Sequence, residues 1–257
     1  MEIHQSAVKD FMMCGKKFEY TYINKVPRTL PEALLVGSAF HYAMTEHFLH
    51  GYSLADTQAL FEIEIMTLAH QRSDPRFVNG SVAVWERGPE EAVGYGKVLL
   101  EEYWNTALPL LHVMEVAKSL KRNIPNTDIT IAGELDFIDA SGKIVDWKVK
   151  ERVPYKTEIQ DDLQPTFYSF LVGGPITFEF HYILKQKTPK VRIARTTRSA
   201  TAIRWMTDEM LPRFARSVET GLYLANPTGW WCSPKWCSFY KECRGEPNPE
   251  PEVIELD

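Results

Sequence analysis

The first hundred residues place apolar and polar side chains with the spacing of α-helices. Between residues 5 and 22, the apolar and aromatic side chains share one broad stripe, made of Val8, Phe11, Met12, Tyr20 and Tyr22. The same spacing recurs at 33–50, 54–70 and 89–106, with Gly and Pro in the connections. This pattern predicts a helical N-terminal part over residues 1–108.

Short β-patterned segments follow the helical part. They lie at 113–120, 128–138 and 143–149, and Ser141-Gly142 forms a tight turn before the last of them. A helix is predicted at 157–171, ended by the Gly-Gly-Pro of residues 173–175. Two more strands, at 176–184 and 190–196, and a long helix from Ala200 to Ala225 complete the pattern. We therefore predict an α/β protein whose mixed core spans residues 109–225.

Composition narrows the class of protein. The chain has 257 residues, 44% hydrophobic and 25% charged, with 14 Gly, 16 Pro and 4 Cys. These proportions exclude collagen-like, disulfide-dense and wholly disordered proteins. The sequence contains no run of 18 apolar residues, and its first ten residues do not resemble a signal peptide. We therefore expect a globular, cytoplasmic protein with one large domain.

The net charge of −5 belongs numerically to the last 13 residues. This tail, 245–257, carries five acidic residues, three prolines and no basic residue, so we expect it to be disordered. Without those five, the acidic residues number 29, the same as the basic ones. The stretch 181–207, in contrast, has no acid, and its candidate DNA-binding residues are Lys185, Lys187, Lys190, Arg192, Arg195 and Arg198. A solvated strand face explains such a stretch equally well.

Two acidic residues and a lysine lie on neighbouring predicted strands. Asp136 and Asp146 flank a tight turn, so hairpin pairing can bring their carboxylates together, and Lys148 follows on the same strand face. Carboxylates suit Mg²⁺ or Mn²⁺, which can polarise a phosphodiester and lower the pKa of an attacking water. The lysine can orient that water or stabilise developing charge. Because many solvated strands contain Asp-x-Lys, the spacing alone does not decide between chemistry and surface.

Three motifs occur in order within residues 133–168. They are Gly-Glu-Leu-Asp ending at Asp136, Asp-Trp-Lys ending at Lys148, and Gln-x-x-x-Tyr formed by Gln164 and Tyr168. Together they resemble the signature of PD-(D/E)XK nucleases of the RecB-like branch. The resemblance implies a restriction-endonuclease-like fold in which Asp136 and Asp146 bind metal and Lys148 is catalytic. It also implies that Gln164 and Tyr168 face the active site or DNA, although such a pair can be an ordinary helix-surface pair.

The same family carries an upstream Gly-x-x-x-His on a helix, with the histidine among the metal ligands. The segment from Gly37 to His41 fits this pattern, so the resemblance implies that His41 binds the metal. Glu46, about one helical turn further on, and Glu115, in the strand before Asp136, are weaker candidates of the same kind.

Four cysteines form a second candidate site. Cys232, Cys237 and Cys243 are clustered, whereas Cys14 stands alone near the N-terminus. Without a secretory signal, we expect a tetrahedral zinc or iron–sulfur site rather than disulfides. The arrangement resembles the iron–sulfur site of AddB-like and CRISPR-associated exonucleases, which implies a [4Fe–4S] cluster joining the N- and C-terminal segments. The four residues between Cys232 and Cys237 depart from the frequent spacing of two, so Zn²⁺ and free thiols remain alternatives.

These patterns and resemblances predict a Mg²⁺- or Mn²⁺-dependent DNA exonuclease over residues 1–244, in which 226–244 form the cluster segment. We expect it to act on single-stranded DNA or DNA ends, in recombination, repair, phage replication or CRISPR adaptation. The sequence has no Walker-type motif, so a helicase would be a separate partner. The alternatives are a non-catalytic iron–sulfur DNA-binding scaffold, a zinc-stabilised endonuclease and an RNA-directed nuclease.

Overall fold

A mixed β-sheet with helices on both faces organises the chain, and the computed structural model describes residues 1–70 and 80–246. The strands of the described part are β1 (Glu2–His4), β2 (Thr29–Pro31), β3 (Val82–Val84), β4 (Val113–Asn123), β5 (Thr130–Asp139), β6 (Ile144–Lys150), β7 (Thr177–Leu184) and β8 (Lys190–Thr197). β2 and β3 form a separate parallel pair, and the other six strands form the main sheet. The prediction of an α/β fold with a mixed sheet between helices is confirmed.

Helices account for most of the N-terminal part and cover the sheet. In the described residues they are α1 (Gln5–Met13), α2 (Gly15–Phe18), α3 (Glu32–His50), α4 (Leu54–His70), α5 (Pro89–Thr106), α6 (Lys156–Asp161), α7 (Leu163–Val172), α8 (Ala200–Trp205), α9 (Leu211–Thr220) and α10 (Tyr240–Arg244). Single π-helical turns occupy Glu19–Ile23 and Met206–Met210, and a 3₁₀ turn occupies Leu108–Leu110. Within these residues, no helix is both long enough and apolar enough to cross a membrane.

β5 has different partners along its two edges. β4 pairs antiparallel with nearly the whole of one edge. The other edge is divided, because β1 pairs in parallel with residues 130–132 and β6 pairs antiparallel with residues 137–138. Among the described strands, residues 133–136 therefore have no ladder partner on this edge. β6 leaves β5 here and pairs in parallel with β7, which continues antiparallel to β8.

Two apolar cores form on the two faces of the sheet. One packs α1, α7 and α9 against the sheet and contains Phe18, Phe167, Phe178 and Phe214. The other packs α3, α4 and α5 against the opposite face and contains Trp147. The apolar runs of the predicted helices supply both cores, since a helix gains most of its stability by burying such a face.

Chain contacts interrupt two helices that the pattern predicts as continuous. The helix predicted at 5–22 breaks at Cys14, which is extended at φ −164° and ψ 115°. Gly15 donates its N–H to the carbonyl of Leu224 at 2.9 Å, and a Cβ on Gly15 would lie 2.7 Å from that oxygen. The helix predicted at 157–171 breaks at Asp162, whose side chain caps α7 by accepting from the N–H of Gln164.

The long C-terminal helix also ends earlier than expected. A π-helical turn and the start of α9 divide it, and Gly221, at φ 69°, ends it in the left-handed conformation. The chain then returns to Cys14. Of the tail predicted to be disordered, residues 247–257 lie outside the described residues.

Candidate active site

Asp136 lies where β5 and β6 separate. Its Oδ2 accepts a hydrogen bond from the backbone N–H of Trp147 at 2.7 Å. The side chain thus takes the place of a ladder acceptor that β5 no longer offers to β6. As a result, the carboxylate is held on the unpaired edge of β5 by the strand that carries Asp146 and Lys148.

A backbone irregularity in β4 accompanies this separation. Ala117 has φ 49°, in the left-handed region that a non-glycine residue rarely adopts, and the flanking pairs Val116–Phe137 and Lys118–Leu135 place it opposite Asp136. On β5, Leu135 packs in the first core and Phe137 in the second, although two residues apart on a regular strand share a face. The alternation of β5 therefore reverses at Asp136, a feature that the periodicity of the sequence does not predict.

His41, on α3, bridges the two strands. Its Nδ1 lies 2.8 Å from Oδ1 of Asp136, and its Nε2 lies 2.8 Å from the carbonyl oxygen of Trp147. Both partners are acceptors, so the doubly protonated imidazolium satisfies both contacts. Burial opposes that charge, but the Asp136 carboxylate outweighs it and holds the pKa of His41 above its ordinary value.

Asp146 is the most buried carboxylate of the site, with 4% of its surface exposed. Gln164 Nε2 donates to its Oδ1 at 2.5 Å, and Lys148 Nζ forms an ion pair with its Oδ2 at 2.6 Å. Burial raises the pKa of Asp146, although the ammonium of Lys148 opposes that shift. For Lys148, burial alone would lower the pKa, but the Asp146 carboxylate raises it.

Tyr168 fills the gap in the ladder of β5. Its hydroxyl donates to the carbonyl of Glu134 at 2.6 Å, within the stretch that lacks a strand partner, and burial raises its pKa. Gly133 allows this approach, because a Cβ there would lie 3.0 Å from the Tyr168 ring and 2.8 Å from Leu171. Gln164 and Tyr168 thus both face the site from α7, the first toward Asp146 and the second toward β5.

A cleft of about 640 Å³, here called the catalytic cleft, opens beside these residues between α3 and β6. Lys148, Lys150 and Lys185 contribute ammonium groups to its wall, and Gly37 and Leu34 line it from α3. Burial lowers the pKa of Lys150, and the positive charge of Lys148 and Lys9 adds to the effect. Glu151 also lines the cleft, and Lys148 and Lys185 are paired with Asp146 and Glu32. An anion such as a phosphodiester would therefore compete with these carboxylates for the two ammonium groups.

A buried carboxylate that the sequence analysis does not identify holds one of these lysines. Glu32 is 1% exposed and accepts from Lys185 Nζ at 3.2 Å, from the Tyr95 hydroxyl at 2.8 Å and from the N–H of Glu86 at 2.9 Å. Lys185 also lies 4.4 Å from the centroid of the Tyr95 ring. The side chain of Lys185 is therefore fixed at the cleft wall. In the sequence, Glu32 is recognisable only as an acidic residue at the start of a predicted helix. Acidic residues are common there because they interact favourably with the helix dipole.

The remaining basic residues of 181–207 divide into exposed and buried groups. Lys187, Lys190 and Arg192 are exposed, and Arg195 is exposed but paired with Glu179. Arg198 departs from the expectation of a DNA-binding residue, since it is 9% exposed. All three guanidinium nitrogens of Arg198 donate hydrogen bonds. The acceptors are oxygen atoms of Thr166, Thr196, Thr197, Ile159 and Asp162. Arg198 ties α6 and α7 to the end of β8, and its N–H groups are taken up by that role.

The two weaker metal-ligand candidates have other partners. Glu46 forms an ion pair with His50 at 3.5 Å on α3, and Glu115 forms one with Lys118 at 2.6 Å on β4. Within residues 1–70 and 80–246, no set of three or more His, Cys, Asp or Glu side chains is arranged to hold a metal ion. In this conformation, the charges of His41 and Lys148 neutralise the two aspartates.

The four cysteines line one pocket between α2 and the C-terminal segment. The N–H of Asn226 points to Cys14 Sγ at 3.4 Å, and Arg244 Nη1 lies 3.8 Å from Cys232 Sγ. Burial raises the pKa values of Cys237 and Cys243, and negative charge on Cys14 and Cys232 would raise them further. The thiols of Cys237 and Cys243 are therefore neutral unless a cation joins them. The structure shows the thiols free, without a disulfide.

Comparisons with known proteins agree with this architecture. The family model of the PD-(D/E)XK nuclease superfamily matches residues 3–244. No curated protein matches the chain. Among solved structures, a "Putative exonuclease" from Eubacterium rectale is similar, with a TM-score of 0.64 and 14% identity over 97% of this chain and 91% of that chain. That likeness concerns the fold alone.

A second solved structure, that of SSO0001, has a TM-score of 0.37 and 16% identity over 95% of this chain and 96% of that chain. The match to the family model is the decisive one, because it runs from β1 to α10 and includes every residue of the candidate site. The protein belongs to the PD-(D/E)XK nuclease superfamily.

Proposed function

We propose that the protein is a Mg²⁺- or Mn²⁺-dependent DNA exonuclease that hydrolyses phosphodiester bonds. One observation carries the proposal. In the described chain, Asp146 Oδ2 is buried and accepts no well-directed hydrogen bond, although Lys148 lies beside it as an ion pair. A buried carboxylate oxygen with an unused acceptor position, next to a second carboxylate, fits a hard divalent cation.

Asp136 and Asp146 are the residues that would hold this ion, which supplies Lewis acidity and a more acidic water when bound. Lys148 would then be released from its ion pair and could stabilise charge on the phosphate. Gln164 orients Asp146 through the 2.5 Å hydrogen bond, and His41 orients Asp136. His41 is the third proposed ligand, and a metal ion would have to replace one of its two contacts, with Asp136 or with the carbonyl of Trp147.

The exonuclease assignment rests on two weaker supports. The similar fold from Eubacterium rectale carries the description of an exonuclease. In addition, the catalytic cleft is walled by three lysines, which suits the phosphates of a DNA strand. Single-stranded DNA or DNA ends are the proposed substrates.

We also propose that the four cysteines hold a [4Fe–4S] cluster, with Zn²⁺ as the alternative. The pocket suits such a group because all four sulfur atoms line it and because the indole N–H of Trp231 is buried there without an acceptor among the described residues. Cluster sulfur atoms accept such donors. Its role would be structural, because it would join Cys14 to a segment more than 200 residues away. Iron, zinc and sulfide analysis after anaerobic purification tests it, and one equivalent of zinc without iron would exclude the cluster.

The nuclease proposal is tested with end-labelled linear and circular DNA, single- and double-stranded, and with RNA, in Mg²⁺ or Mn²⁺. We expect wild type to degrade linear DNA from its ends and Lys148→Ala to be at least about 100-fold slower. Lys121→Ala, at an exposed position on β4 where the lysine pairs with Glu2, is the matched control and should retain full activity. Cleavage of circular DNA would identify an endonuclease, and absence of hydrolysis by wild type would overturn the proposal.

A further inference from the structure

Two tryptophans on the cysteine-containing segment are exposed to solvent. Trp230 is 69% exposed and Trp236 is 58% exposed, and their rings lie 5.6 Å apart at an interplanar angle of 88°. Lys235 Nζ lies 4.9 Å from the centroid of the Trp236 ring. We call this surface, made of Trp230, Lys235 and Trp236, the tryptophan platform. Large aromatic side chains exposed together on a soluble protein indicate a binding surface.

Short-range hydrogen bonds hold the platform in place. The N–H groups of Trp236 and Cys237 both donate to the carbonyl of Ser233, and the N–H of Cys232 donates to that of Gly229. Trp230 also packs edge-to-face on Trp231, at 5.9 Å between ring centroids. The exposed indoles are therefore presented by a fixed turn, which lowers the entropy cost of stacking a ligand on them.

Two residues of the platform line a second cleft that shares a chain segment with the catalytic cleft. This second cleft, of about 600 Å³, is lined by Trp236, Lys235 and Lys241 and by Thr29 and Pro31 of β2. β2 runs directly into α3, whose residues Ala33 and Leu34 line the catalytic cleft. The two clefts therefore have walls that are close in the chain, since Pro31 lines one and Ala33 lines the other.

The chemistry of the two clefts matches single-stranded nucleic acid. Both clefts are lined by lysines. These are Lys148, Lys150 and Lys185 in the catalytic cleft and Lys235 and Lys241 in the second cleft. Ion pairing in the second cleft is weak, since Lys241 contacts Glu246 only at 3.8 Å. Ammonium groups can follow the phosphates while unpaired bases stack on indole faces, whereas a duplex keeps its bases stacked on one another.

We propose that the tryptophan platform is a base-stacking subsite for the single strand that extends from the catalytic cleft. This inference rests on the proposed nuclease function for the position of the scissile bond, but the binding itself does not depend on hydrolysis. It assigns to the C-terminal segment a contact with substrate in addition to its structural role.

Binding is measured with the full-length protein in Ca²⁺, using the fluorescence anisotropy of labelled oligothymidylates of 4 and 12 nucleotides. We expect Trp230→Ala and Trp236→Ala to weaken binding of the 12-mer roughly 5- to 100-fold each and to leave the 4-mer unchanged. Trp230→Phe, which keeps a stacking ring, should retain most of the affinity. Trp205→Ala is the matched control, because Trp205 is also exposed (49%) but lines a different cleft.

Two further measurements distinguish loss of base stacking from loss of the cluster and from failure of the nuclease proposal. Iron content is determined for each variant, and Trp230→Ala is the stricter test because Trp230, unlike Trp236, does not line the cysteine pocket. Hydrolysis of bis(p-nitrophenyl) phosphate in Mn²⁺ tests the nuclease proposal without a long strand. Unchanged affinity for the 12-mer in both Ala variants would overturn the proposed base-stacking subsite. So would a concentration-dependent dimer of the wild type that is lost in Trp230→Ala while the affinity for the oligonucleotide is unchanged.

Discussion

The carboxylate of Asp136 accepts a hydrogen bond from the backbone N–H of Trp147, on the neighbouring strand, at 2.7 Å. A side chain thus replaces a ladder hydrogen bond at the point where the two strands separate. The same carboxylate contacts His41 at 2.8 Å and is a proposed metal ligand. Local folding and chemistry therefore depend on one residue.

Asp136→Ala should lower the free energy of unfolding by about 2 kcal/mol, because it leaves the Trp147 N–H and His41 Nδ1 without an acceptor. Urea denaturation followed by circular dichroism measures this change. Glu134→Ala, two residues earlier on β5 and exposed, is the control and should change stability little. Equal effects of the two substitutions would contradict a structural role for Asp136.

Gly133→Ala should destabilise the protein by roughly 1–3 kcal/mol and reduce nuclease activity. The new Cβ would lie 2.8 Å from Leu171 Cδ1 and 3.0 Å from the Tyr168 ring, so both side chains of α7 must shift away from β5. The movement would weaken the hydrogen bond from Tyr168 to Glu134 and shift Gln164. Thermal unfolding and the DNA assay test both effects together.

Gly94→Ala is the matched glycine control. Gly94 lies within α5, and a Cβ there meets no atom within 4 Å. We therefore expect stabilisation by about 0.5–1 kcal/mol with unchanged activity, because alanine is the better helix former. Stabilisation by Gly133→Ala would show that the space beside Tyr168 is not restricted.

Ala117→Gly should raise the free energy of unfolding by up to about 1 kcal/mol, because glycine adopts a φ of 49° without the strain of a Cβ. Ala132→Gly, on the regular part of β5, should have the opposite sign, since glycine weakens an ordinary strand. Chemical denaturation of both variants measures the difference. Two changes of the same sign would be inconsistent with strain opposite Asp136.

His181 makes stability depend on pH. Trp147 Nε1 donates to the Tyr103 hydroxyl at 2.8 Å, and that hydroxyl donates to His181 Nδ1 at 2.8 Å, so the buried imidazole is neutral. Burial lowers the pKa of His181 to about 4. Between pH 6.5 and 4 the unfolded chain binds a proton that the native chain does not, so this contribution to stability is complete above pH 6.5 and decreases as the pH falls.

From pH 7 to pH 5, wild type should therefore lose roughly 2 kcal/mol through this histidine. His181→Gln should lack that part of the pH dependence, whatever its stability at pH 7. Urea denaturation of both proteins at the two pH values provides the comparison. An equal loss in both would mean that His181 is protonated in the native protein at pH 5.

Periodicity and turn residues predict most of the architecture. The helical spacing at 54–70 and 89–106 coincides with α4 and α5, and the β-patterned segments coincide with β4 to β8 to within about three residues. These elements bury apolar faces that repeat with their own period, so local sequence carries the information. Superfamily membership is likewise confirmed, whereas the RecB-like iron–sulfur branch and the roles of the site residues stay predictions.

Long-range contacts explain what the sequence did not predict. In the sequence, Arg198 is one of a row of basic residues, but its burial depends on the carbonyls of Ile159 and Asp162, which are distant in sequence. The break at Cys14 depends on Leu224, and the short strand β1 depends on pairing with residues 130–132. Such features depend on tertiary contacts, which the periodic pattern of apolar residues does not predict.

The contacts of the first fifteen residues have a mechanical consequence. β1 is paired with β5 next to Gly133, and Gly15 is bonded to the backbone of Leu224 beside the cysteine pocket. α1 connects these two attachments and so links the C-terminal segment to β5, the strand that carries Asp136. A displacement of the cysteine-containing segment would therefore act, through α1, on the end of β5 that β1 pairs with, residues 130–132.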